Sequence, residues 1–119
     1  LTGARVDGRL AAIMATDIVG FLRMIDADEA ATLSSFKALR ADIVDPILAE
    51  YKGRIVKLMG DGSLVEFNSV VDAVACAVAM QKGVAVHQAG SAPDRRIVLR
   101  IGINLGDVVV EGTISSATA

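Results

Sequence analysis

The 119 residues contain one cysteine, one histidine, two prolines and no tryptophan, and only 3% of them are aromatic. Each scarcity closes a possibility. A lone Cys76 excludes an internal disulfide and a cysteine-rich metal site, fits a cytoplasmic location, and suits core packing. His87 has no Ser, Cys or Asp constellation around it in the sequence and reads as a surface histidine rather than a member of a triad. With so few rings, nothing is suited to stacking on bases, and the interior must be built from Val, Ile, Leu, Ala and Met. Positive charge is also short: 12 Lys and Arg against 14 Asp and Glu leave a net charge of −2, without the basic footprint of a nucleic-acid binder. No uncharged apolar run approaches the roughly 18 residues of a membrane helix, so no membrane segment is expected. The N-terminus lacks the charged, apolar and small-residue succession of a signal peptide.

What is present is a chain that is 53% hydrophobic and 22% charged, of a length that suits one domain. Residues 9 to 18 form a short apolar run that reads as a buried strand ending near Asp17. From Asp28, Leu33, Phe36, Leu39, Ile43 and Ile47 recur every three to four residues, which predicts a long amphipathic helix. Pro46 must either kink it or follow a cap at Asp45. Residues 54 to 60 and 63 to 67 are strand-like and flank Asp61-Gly62, a tight-hairpin signal. A second helix, capped by Asn68 or Ser69, carries Val70, Val74, Cys76, Ala77, Val78 and Met80; it is apolar on most sides, so deep burial is expected, with fraying from Gly83 to Gly90. Residues 96 to 110 alternate as a long strand.

That order predicts an α+β fold, a ferredoxin-like βαββαβ core whose antiparallel sheet carries helices on one face. The expected boundaries are an N-terminal extension at residues 1–8, a domain at 9–112 and a disordered tail at 113–119.

In this topology Asp17, at a strand end, and Asp61, at the hairpin, lie close together. Two adjacent carboxylates repel and raise one another's pKa unless a cation joins them, and hard oxygen ligands suit Mg²⁺ or Mn²⁺. The plainer alternatives are an acid at a helix start and an ordinary Asp-Gly turn. Between the first strand and the first helix, Ile18-Val19-Gly20-Phe21 makes a turn whose backbone N–H groups suit a phosphate. Alternatively, Gly20 only permits the turn while Phe21 packs in the core. Lys57 reads as an exposed strand lysine, and Asp107 as a strand-end carboxylate.

Three segments together resemble the class III nucleotidyl cyclases. Asp17-Ile-Val-Gly-Phe21 is similar to their Asp-Ile-x-Gly-Phe motif, Lys57-Leu-Met-Gly-Asp-Gly62 to their Lys-x-x-Gly-Asp-Gly hairpin, and Arg100-Ile-Gly-Ile-Asn-Leu-Gly106 to their Arg-x-Gly-Ile-x-x-Gly strand. The resemblance runs from about Arg9 to Gly112. It implies an adenylate cyclase acting on ATP, with Asp17, Asp61 and the Ile18 carbonyl binding two Mg²⁺ or Mn²⁺ and the backbone of Val19, Gly20 and Phe21 holding the β- and γ-phosphates. Lys57 would select adenine, whose N1 accepts a hydrogen bond where guanine N1 carries a proton. The site would form in a head-to-tail homodimer, with Asp17 and Asp61 facing the partner copy's lysine. In the family a later Asp or Thr contacts the base, and a later Asn and Arg stabilise the transition state. This sequence has Thr113-Ile-Ser-Ser-Ala-Thr-Ala119 where that segment begins, so little turnover is expected of these residues alone. The competing function is a non-catalytic dimerisation or nucleotide-sensing module. A diguanylate-type cyclase is disfavoured, because its Gly-Gly-Asp/Glu-Glu-Phe hairpin is absent.

Overall fold

The apolar run after Arg9 and the alternating run after Ile97 pair with each other over 13 successive positions, from Val6↔Glu111 to Ile18↔Leu99. They form strands β1 (Val6–Ile18) and β4 (Leu99–Glu111) of a computed structural model, which describes the backbone of residues 6–111 and 114–116 and the side chains of residues 10–106. The hairpin strands β2 (Arg54–Met59) and β3 (Gly62–Phe67) join on the other side of β1, and β5 (Ile114–Ser116) joins β4. The order β2-β3-β1-β4-β5 is antiparallel throughout. Its first four strands have the ferredoxin-like arrangement expected from the sequence.

Alternation along the strands divides the sheet. Ala12, Met14, Ile18, Val65, Phe67 and Leu99 face the helices and form the main core with Met24, Leu39, Leu48, Ala73, Cys76, Met80 and Val84. The opposite, open face carries a small cluster of Ala11, Ile13 and Leu64. Because side chains alternate with a period of two, Asp17 on β1 and Arg100 on β4 also belong to the open face.

The connection after β1 differs from the single long helix expected. A short helix, α1 (Phe21–Ala27), comes first. It ends at the extended Asp28, whose side chain accepts a hydrogen bond from the Ala31 amide and so starts α2 (Glu29–Leu39). Pro46 is accommodated by widening. Arg40–Val44 forms a π-helical turn in which the Asp45 amide donates to the Arg40 carbonyl, and α3 (Asp45–Glu50) follows with Pro46 in its first turn.

Helix α4 (Val70–Gln88) is capped by Ser69, whose hydroxyl accepts from the Asp72 amide. It does not fray at Gly83, because Val84 and Gln88 are buried and the Gln88 side chain accepts a hydrogen bond from the Ile97 amide. Nor is it deeply buried all round: Ala73, Cys76, Met80 and Val84 pack inward, whereas Val71 and Val86 are 76% and 78% exposed. By length and a mean hydropathy of 1.3 alone, α4 could cross a membrane; here one face of it lies on the sheet. Burial pushes the Cys76 thiol up to about 11, with the Glu50 charge adding to the shift, so it remains a protonated core group. His87 is half-buried and meets Asp42 at 3.1 Å.

Two boundaries also move. β1 begins at Val6, inside the expected extension, because β4 continues far enough to pair with it. Within the tail, Ile114–Ser116 pairs with Val109–Glu111, since backbone ladder bonds require no particular side chains. The rest of the tail, and Asp107 as a side chain, lie outside the described residues.

Leu39 is fully buried where α2, α3 and α4 meet the sheet. Leu39→Ala should lower unfolding stability by about 2–5 kcal/mol in urea titrations, whereas the half-exposed Leu33→Ala should change it by less than about 1 kcal/mol.

Candidate active site

The two acids are brought together by strand register. Gly62 lies opposite Asp17 in the β1–β3 ladder, so Asp61, one residue earlier, sits at the end of β1. The Ile18 amide donates to the Asp61 carbonyl at 3.0 Å, which ties the strand end to the hairpin. The turn itself is one residue earlier than the sequence signal suggested: Met59 pairs with Gly62, leaving Gly60 and Asp61 as the turn. Gly62 is required for this closeness, because a Cβ there would fall 2.0 Å from the Thr16 carbonyl oxygen. On the helix-facing side, the Thr16 and Ser63 hydroxyls are hydrogen-bonded at 2.9 Å and bridge β1 and β3 one position before Asp17.

Sequence reasoning did not assign a site role to Arg100. It lies directly opposite Asp17, and its Nε and Nη2 donate to the two carboxylate oxygens at 2.9 and 2.8 Å. The cation expected to spare neighbouring carboxylates a raised pKa is, at Asp17, the Arg100 guanidinium. Hydrogen bonding from Arg100 holds the Asp17 carboxyl below its ordinary value of 3.8, opposed by partial desolvation and assisted by the guanidinium charge. Arg100 is shifted upward in turn, first by its bonds to Asp17 and then by the Asp17 charge, with Asp61 adding a smaller contribution. Both acids thus act on one cation. Motif spacing alone could have suggested this, since Arg100 opens the third motif on a strand predicted to border the first.

The Ile18 side chain is buried and its strand position adjoins both acids. Gly20 adopts a left-handed conformation at φ 67°, which favours glycine, and begins α1. Of the three amides expected to hold phosphate, that of Val19 is already bonded to the Val98 carbonyl at 2.9 Å, so it anchors the turn to the segment before β4. Phe21 packs against the core and meets Phe36 edge-on at 6.3 Å between centroids. The structural role considered for Phe21 is therefore present.

Lys57 is exposed on edge strand β2 and pairs with Leu64, which pairs with Ala15. It shares the open face with Asp17 at a backbone separation of about 12 Å, taking 4.8 Å per strand and 3.4 Å per residue. A cavity behind Asp61, between Thr16, Phe36 and Leu99, measures about 20 Å³. It has room for one water and none for a nucleotide. Among the described residues no group of three or more His, Cys, Asp and Glu could hold a metal. A cation at Asp17 and Asp61 would complete its shell with carbonyl, water or phosphate oxygens.

The sequence model of the adenylate and guanylate cyclase catalytic domain matches residues 8–119. The chain belongs to this nucleotidyl cyclase family. A Rhizobium meliloti protein named "Putative adenylate cyclase 3" is 46% identical over 103 residues, covering 87% of this chain and 18% of that protein. The crystal structure of an adenylate/guanylate cyclase/hydrolase from Silicibacter pomeroyi superposes with a TM-score of 0.79 at 36% identity, covering 88% of this chain and 61% of the other. The guanylyl cyclase Cya2 superposes at 0.75 and 27% identity over 87% of this chain and 57% of its own. The chain thus spans under a fifth of the curated relative and about three-fifths of the solved domains.

The lowered Asp17 pKa carries a pH signature. Its contribution to stability is fully present above the unfolded value near 3.8 and is lost as pH falls through the lower folded value. Asp17→Asn should flatten the acid limb of a stability-versus-pH curve below about pH 4 and leave its slope between pH 6 and 8 unchanged.

Proposed function

We propose that the chain is the metal- and triphosphate-binding part of an adenylate cyclase domain, which converts ATP to 3′,5′-cyclic AMP and pyrophosphate and works in the cytoplasm. The observation that carries this is the ladder that sets Asp61 at the end of β1 next to Asp17, where both acids act on the Arg100 guanidinium. The donors fit the metals: Asp17, Asp61 and the Ile18 carbonyl are hard oxygens of the type that Mg²⁺ and Mn²⁺ prefer. The chemistry supplied by two such ions, when bound, is a lowered pKa for the ribose 3′-hydroxyl and neutralisation of the triphosphate and the departing pyrophosphate.

The chain's own residues do the positioning. The carboxylates hold the reacting end of the nucleotide at the mouth of β1 and the β2–β3 turn. Gly20 and Phe21 supply amides at the entrance of α1, where the first helical N–H groups have no intrahelical partner, and these receive phosphate oxygens. Val19 keeps that turn in place through Val98. Lys57 donates to adenine N1, which favours ATP over GTP. The roughly 12 Å between Lys57 and Asp17 along the sheet, and a cavity of only 20 Å³ behind Asp61, support a nucleotide held between two copies arranged head to tail. Each copy then contributes its acids to one site and its lysine to the other.

Cyclic AMP formation from ATP with Mn²⁺ tests this, in the 119-residue chain and in any longer protein that contains it. In the longer protein Asp17→Ala and Asp61→Ala should each reduce turnover by about 10²-fold or more, and Lys57→Glu should lower the preference for ATP over GTP. The 119 residues alone should turn over little. Equal turnover by the parent and both alanine variants would reject the metal assignment, and vigorous cyclisation by the 119 residues would reject the role given to later residues.

A further inference from the structure

The carboxylate that should bind metal is already occupied. Arg100 engages both oxygens of Asp17 through a two-pronged contact at 2.9 and 2.8 Å, the geometry in which a guanidinium matches a carboxylate best. The two residues face each other directly in the β1–β4 ladder, so neither backbone need move for the contact to form or break. Without a cation, Asp17 and the adjacent Asp61 would repel each other across the end of the hairpin. The guanidinium, bonded to both oxygens of Asp17, places a positive charge there that offsets this.

We propose that Arg100 is an internal stand-in for a divalent cation: it occupies Asp17 in the metal-free chain, fixes that carboxylate, and must release it when a metal binds. This rests on the assignment of Asp17 as a metal ligand. Arg100 is then a positioning residue, and its effect appears in metal affinity before any turnover. Exposure keeps the exchange inexpensive. The Arg100 side chain is 70% exposed and that of Asp17 is 38% exposed, and ion pairs so open to water are weakly held. The guanidinium can therefore leave for solvent, and its departure frees one lone pair on each carboxylate oxygen.

The decisive measurement is Mn²⁺ binding to the 119-residue chain by calorimetry, without nucleotide. Arg100→Gln removes both the charge and the fork, and should bind Mn²⁺ about three- to ten-fold more tightly than the parent. Arg100→Lys keeps the charge but not the fork, and should also bind more tightly, by about two- to five-fold. Adding Asp17→Asn to either variant should erase the gain. Unchanged or weaker Mn²⁺ binding by a folded Arg100→Gln would overturn the proposal. So would tightening by Gln with none by Lys, because simple charge repulsion would then account for the effect. If Mn²⁺ binding is independent of Asp17 in every variant, the metal assignment itself falls, and the stand-in role falls with it.

Discussion

β1 is bonded along both edges from Ala12 to Asp17, by β3 on one side and β4 on the other, so it cannot slip by one position without turning every side chain to the wrong face. That double constraint holds Met14 and Ile18 in the core while Asp17 stays on the open face. It also decides what Asp17 meets. Gly62 stands on one side with Asp61 next in the chain, and Arg100 stands on the other. The close backbone approach at Gly62 transmits this register to the hairpin turn, so a core strand, a glycine contact and an acidic corner are consequences of one ladder.

The corner is electrostatically settled before any ligand arrives. An acid pair left alone at a strand end would favour protonation of one member, yet Asp17 is held ionised by hydrogen bonds from a residue 83 positions away. A carboxylate kept charged and oriented offers its oxygens directly to a cation, whereas a protonated one would first have to lose its proton.

Much of this was legible in the sequence because short-range chemistry specified it. The Asp-Gly dipeptide marked the hairpin, Gly20 marked the turn after β1, and the alternation after Ile97 marked β4. The strand order followed from the succession of elements, and with it the nearness of Asp17 and Asp61. What escaped were relations set by register between distant segments. Arg100 lay in a recognised motif, but only the pairing of β1 with β4 makes it the partner of Asp17. The exposed valines of α4 escaped for a related reason: an apolar helix does not reveal which face the sheet will cover. The start of α2 at Asp28 was legible, but the short α1 before it was not, because seven residues are too few to establish a periodicity.

The wide turn at Arg40–Val44 acts as an angular correction. Leu39 and Leu48 are nine residues apart, and at about 100° per residue an uninterrupted α-helix would place them on opposite sides. Taking up one additional residue in the π turn removes about 100° from that count, which brings both leucines to the same flank, where both are buried. The proline that could have broken the helix follows the one place where the winding is already loosened.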